Sequence, residues 1–136
     1  MRVSAARRCT APPERVWEWI ADRHKRVRIL PHGIRDAGVL ENGDISCRID
    51  AAGFNERMVV RSVETEPLRR LVERRVDGRR EATTVFEIEP DGDGSRVSVT
   101  TDVALPRLVA RLAEGPIRRA LEQELENLDR LSVAGW

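Results

Sequence analysis

Residues 91–103 read Asp91-Gly92-Asp93-Gly94-Ser95-Arg96-Val97-Ser98-Val99-Thr100-Thr101-Asp102-Val103. The two Asp-Gly pairs are the strongest turn signal in the chain, and beyond them Val97, Val99, Thr101 and Val103 recur with period two, one face of a strand. On the N-terminal side, Glu81 to Glu89 sets Ala82, Thr84, Phe86 and Ile88 on a single face, so the turn joins two strands in a hairpin. On the C-terminal side the period changes. From Pro106 to Leu131, the residues Leu108, Leu112, Leu121, Leu125 and Leu128 stand mostly at i, i+3, i+4 and i+7 relations, which predicts one long amphipathic helix. Gly115-Pro116 inside it predicts a kink or a break, because proline has no N–H to donate and its ring crowds the preceding turn.

Working further upstream, short turns separate more strands. Ile34 to Glu41 turns at Asn42-Gly43-Asp44, and Ile45 to Ala51 alternates Ile45, Cys47 and Ile49 with Ser46, Arg48 and Asp50, a half-buried strand. After Ala52-Gly53 come Phe54 to Val63, then Leu68 to Val76 ending at Asp77-Gly78. Residues 2–9 form a first strand, ended by Thr10, Ala11, Pro12 and Pro13. The proline pair starts a helix in which Val16, Trp17 and Ile20 share a face and Trp19 falls off it. A second short helical piece, Arg23 to Leu30, is stopped by Pro31 and Gly33. The expected class is α+β: seven antiparallel strands counting the first, two short helices and a long C-terminal helix.

The 136 residues suit a single domain spanning 1–136, with 40% apolar and 35% charged residues of both signs mixed along the chain. A net charge of +1 gives no broad pull toward phosphate backbones, so general nucleic-acid binding is not expected. Only Lys25 among the 24 basic residues is lysine, so the arginines reflect composition more than recognition. No apolar run reaches the length of a signal peptide core or of a membrane span, which makes a cytoplasmic location the default expectation.

Residues with chemical potential are scattered. Cys9 and Cys47 have neither CxxC spacing nor a neighbouring histidine, so free thiols are expected and neither a metal nor another cofactor is. His24 and His32 lie in charged, loop-like sequence with no carboxylate spaced to orient either ring, and solvated surface histidines are expected. The strand 68–76 is ambiguous: Leu68, Arg70, Val72, Arg74 and Val76 share one face, while Arg69, Leu71, Glu73 and Arg75 share the other, and a one-residue slip reverses it. With the first set inward, arginine reaches a ligand carboxylate or phosphate in bidentate fashion. Glu56 shares a face with Met58 and Val60, where a buried carboxylate needs a partner or a raised pKa. No metal-ligand cluster, nucleophile elbow, phosphate loop or triad spacing is present.

The stretch from Ala11 to Asp22, Ala-Pro-Pro-Glu-Arg-Val-Trp-Glu-Trp-Ile-Ala-Asp, resembles the opening of the START-like superfamily, also called SRPBCC, and Asp91 to Val99 is similar to the hairpin before that family's last strand. The resemblance covers nearly the whole chain. It implies a helix-grip fold, a curved sheet around the C-terminal helix, with a cavity between them. The lining expected from the alternation is Ile45, Cys47, Ile49, Glu56, Met58, Val60, Arg70, Val72, Thr84, Phe86, Val97, Val99, Leu108 and Leu112, largely aliphatic. The same periodicity also serves a fully packed core, so it does not by itself separate cavity from core. The implied partner is a small hydrophobic molecule, such as a lipid, isoprenoid or polyketide-like compound, bound or carried by a monomer or homodimer. The alternative is a cyclase or dehydratase using acid/base residues in the same cavity, with Glu56, His24 or an inward arginine assisting proton transfer. A protein-interaction module is a third reading. Three Trp, two Phe and no Tyr depart from the aromatic-lined pockets common in the family.

Overall fold

The computed structural model describes residues 1–51 and 53–134. The elements run β1 (Arg2–Cys9), α1 (Pro13–Ala21), α2 (Arg23–Arg26), a 3-10 turn (Val27–Ile29), β2 (Ile34–Val39), β3 (Ile45–Ala51), β4 (Phe54–Glu66), β5 (Arg70–Arg75), β6 (Ala82–Asp91), β7 (Gly94–Val103) and α3 (Arg107–Val133). The strands form one curled sheet in the order β1-β7-β6-β5-β4-β3-β2, antiparallel throughout. The predicted helix-grip architecture is therefore present. Register shifts between Arg35 and Gly38 and between Ser62 and Glu64 mark where the sheet bends, since an extra residue in one strand increases the local twist.

Three features of residues 91–95 fix the β1–β7–β6 end. Gly92 takes φ +63 in the tight turn between Asp91 and Gly94, a conformation that glycine adopts without penalty. Gly94 lies so close to β1 that a Cβ there would run into the Cys9 carbonyl oxygen. Ser95 Oγ donates to the Ala11 carbonyl at 2.7 Å and ties the chain between β1 and α1 to the same corner.

The core occupies this end of the sheet. Phe86 and Ile88 of β6, Val97 and Val99 of β7, and Leu71 of β5 are buried against Val16 and Ile20 of α1 and Leu121, Leu125 and Leu128 of α3. Trp19, expected off the buried stripe, is buried as well. Lys25 and Arg28 hold their cations 5.5 and 4.9 Å from its ring centroid, so α2 and the turn after it cap the indole.

Three expectations are corrected. β5 begins at Arg70, with Leu68 in the preceding turn at φ 69, and its pairing Leu71↔Phe86 and Glu73↔Thr84 sends Leu71, Glu73 and Arg75 to the concave face. Arg70 and Val72, expected inward, lie on the convex face; apolar and charged residues alternate on both sides of this strand, so pattern alone did not decide its parity. α3 runs unbroken through Gly115 and Pro116. Leu108 and Leu112, expected inward, are 76% and 82% exposed. Leu112 lies nine residues before Leu121, which at about 100° per residue is roughly half a turn out of phase with the buried stripe.

Candidate functional site

The strands that supply the core continue past it. Two to four residues along the same faces of β6 and β7, Thr84, Ala82, Thr101 and Val103 no longer meet α1, and a cavity of about 230 Å³ opens between sheet and helix. β3 contributes Ile45, Cys47 and Ile49, and β4 contributes Met58 and Val60, paired across the ladder as Ile45↔Val60 and Cys47↔Met58. Pro116, Ile117, Ala120 and Leu121 of α3 form the opposite wall, and Leu30 and Pro31 close one side. Most of these walls are aliphatic. Thr84 and Thr101 satisfy each other, Oγ1 to Oγ1 at 3.0 Å.

Of the residues predicted to line the cavity, Ile45, Cys47, Ile49, Met58, Val60 and Thr84 do so. Phe86, Val97 and Val99 face the same side but are consumed by the packed core, because α1 sits over that half of the sheet. Glu56 is on the concave side, but its Oε1 accepts from Arg75 Nη1 at 3.0 Å and Arg80 Nη1 at 3.1 Å at the margin, and it does not line the cavity. Arg70, Val72, Leu108 and Leu112 lie elsewhere, on the convex face and the outer side of α3. His24 and His32 are exposed.

The polar part of the site is a cluster absent from the sequence-based expectations. Arg26 of α2, Glu73 of β5 and Glu124 of α3 meet at the cavity wall, each with its side chain nearly buried. Arg26 grips Glu73 bidentately, Nε to Oε2 and Nη2 to Oε1 both at 3.0 Å, and Arg23 Nη1 reaches the same Oε2 at 2.8 Å. The third Arg26 nitrogen, Nη1, donates to Glu124 Oε2 at 3.1 Å. The guanidinium also lies 4.9 Å from the Phe86 ring centroid, so the core supports the cluster from behind. Arg75 is spent on Asp77 at 2.7 Å, on Glu56 and on the Arg57 carbonyl at 3.0 Å.

Burial alone would raise both glutamates, yet the two diverge. Glu73 is pulled below the ordinary carboxylate range because the attraction of Arg26 and Arg23 outweighs desolvation. Glu124 is pushed up by burial, with Glu73 adding repulsion and the single Arg26 contact only partly opposing. Desolvation works against the charge on Arg26, but the two glutamates more than compensate and raise its pKa. Among the described residues nothing donates to Glu124 Oε1, which leaves one carboxyl oxygen free beside the cavity. Cys47 is an inert lining group, its thiol pushed by burial to about 11, and the core thiol of Cys9 is pushed to about 12. No group of three or more His, Cys, Asp or Glu positioned for a metal occurs among the described residues.

A curled antiparallel sheet closed by one long helix over a mainly apolar cavity defines the helix-grip class. The chain belongs to the family described as polyketide cyclase/dehydrase and lipid transport, whose model matches residues 1–133. Among solved structures it is similar to the protein TTHA0849 of Thermus thermophilus, with a TM-score of 0.79, 23% identity and 98% of each chain covered. It is similar also to the Zhui aromatase/cyclase of Streptomyces sp. R1128, with a TM-score of 0.80, 18% identity and coverage of 99% of this chain and 98% of that one. A norcoclaurine synthase point mutant of Thalictrum flavum, in complex with a transition-state analogue, superposes with a TM-score of 0.76 at 11% identity, covering 98% of this chain and 94% of that one. At these identities the likeness is one of fold. No curated protein matches the chain. No helix among the described residues is long and apolar enough to cross a membrane.

Proposed function

We propose that the chain binds one compact, largely apolar small molecule in this cavity, with a polar atom of the ligand hydrogen-bonded to Glu124. The observation that carries this reading is an aliphatic cavity in which Glu73 and Arg75 are internally saturated and Glu124 alone keeps a free carboxyl oxygen. The volume of about 230 Å³ falls below the roughly 300–1,000 Å³ of drug-sized sites, which favours a bicyclic or short isoprenoid-sized molecule over a whole phospholipid. The family description, with its lipid transport and its cyclases, is consistent with that ligand class. A reducing compartment such as the cytoplasm suits the unpaired thiols Cys9 and Cys47. Titration with 1-naphthol, followed by methyl NMR, tests it: saturable shifts at Ile45, Ile49, Met58 and Ile117 are expected, and shifts scattered over the surface would contradict it.

Glu124 also favours a second reading, proton transfer to or from a bound carbonyl compound as in a cyclase or dehydratase. A general acid/base benefits from a displaced pKa and an unengaged carboxyl oxygen at the site, and Glu124, raised by burial, keeps one beside the cavity. In deuterated water the protein should then speed exchange of the protons next to the carbonyl of 2-tetralone, with Glu124 taking a proton from carbon and returning a deuteron. Exchange at the background rate, or equal rates with Glu124→Gln, would leave binding as the only function.

A further inference from the structure

Leu108 and Leu112 sit one helical turn apart on the side of α3 that faces away from the body, while Ala113, roughly 100–140° further round the same turns, is buried. Two leucines this exposed, at 76% and 82%, serve no internal packing, and Val109 beside them is 37% exposed. Around them stand the exposed arginines Arg107, Arg111, Arg118 and Arg119. Acidic residues on this side are Glu114, 3.9 Å from Arg118, and, further along the helix, the exposed Glu122 and Glu126, so the cationic part of the face is confined to about its first three turns. The chain as a whole carries only +1, so this cationic rim around an apolar ridge is local.

We propose that this outward face of α3 docks on an anionic lipid bilayer. Apolar side chains on one helix face with arginines at their flanks match the acyl boundary and the acidic headgroups, and neither element alone suffices for stable contact. A second copy of the chain fits less well: a two-fold contact through this face would set arginines against arginines. The next turn of α3 supplies Pro116 and Ile117 to the cavity wall, so the helix that docks is also the helix that closes the cavity. The proposal does not depend on what the cavity holds.

Flotation with vesicles of phosphatidylcholine containing about 30% phosphatidylserine, against vesicles of phosphatidylcholine alone, tests it. The wild type should partition at least about tenfold more strongly onto the anionic vesicles and be released by high salt. The pairs Leu108→Ser/Leu112→Ser and Arg111→Glu/Arg119→Glu should each lose that excess, with thermal unfolding and 1-naphthol binding unchanged. Leu112→Trp offers a separate readout, a blue shift of the new fluorophore on anionic vesicles. Equal partitioning onto both vesicle types, or either double variant binding as the wild type does, overturns the proposal. So does a dimer in solution that Leu108→Ser/Leu112→Ser converts to monomer, which would assign the face to a second copy.

Discussion

Glu73 and Glu124 lie on either side of one guanidinium, and their unequal shares of it give opposite pH signatures. The folded state lowers the pKa of Glu73, so its contribution to stability is present above the ordinary glutamate value of about 4.3 and is lost as pH falls through the folded value. Glu73→Gln should cost about 3–5 kcal/mol in urea unfolding at neutral pH, because Arg23 loses its carboxylate partner and the buried Arg26 is left with Glu124 alone. Glu124 is raised, so its contribution is fully present below about 4.3 and is lost as pH rises through the folded value. Glu124→Gln keeps a hydrogen-bond acceptor for Arg26 and removes that loss. Its stability relative to the wild type should therefore climb with pH above about 4.3, and a constant difference would contradict the assignment. In the sequence, Arg26 sits in the run Arg23-His24-Lys25-Arg26 and resembles solvated charge, and Glu73 depends on a strand parity that both faces fit equally. Glu124 was legible: it stands three residues after Leu121 and four before Leu128 on the buried stripe, a carboxylate where apolar residues belong.

At the scale of elements, α3 shows what a leucine count conceals. Five leucines suggested one stripe, but the nine-residue step from Leu112 to Leu121 divides them between opposite faces. Leu125→Ala should cost about 2–5 kcal/mol, and Leu112→Ala less than about 0.5 kcal/mol, by the same denaturation measurement. Gly115 lies inside the continuous helix, and the nearest atom to an added Cβ is the end of the Arg119 side chain at 3.4 Å. Gly115→Ala should therefore stabilise the protein by about 0.5–1 kcal/mol in thermal unfolding. The hairpins from β2 to β7 were legible because turn residues such as Asp91-Gly92 announce themselves locally, whereas the pairing of β1 with β7 joins residues up to 100 apart and no turn signals it. The inward face of β5 was not, since it is set by pairing with β6 and by the register shift in β4, both non-local.

Across the whole molecule, one concave sheet face performs two jobs. Near α1 it fills a core through Phe86, Val97 and Val99, and further along the same strands it lines a cavity through Thr84, Thr101 and Val103. Periodicity reads the face but not the boundary between those halves, which depends on where α1 comes to rest. Filling the second half decides whether it is a binding cavity. Ala120 faces the cavity from α3, and Ala120→Trp places an indole inside it. We predict that 1-naphthol binds the wild type saturably with one-to-one stoichiometry and that Ala120→Trp loses the binding while unfolding at the same temperature or higher. Undiminished binding by a folded Ala120→Trp protein, or no saturable binding by the wild type, would show that the second half is not a binding cavity.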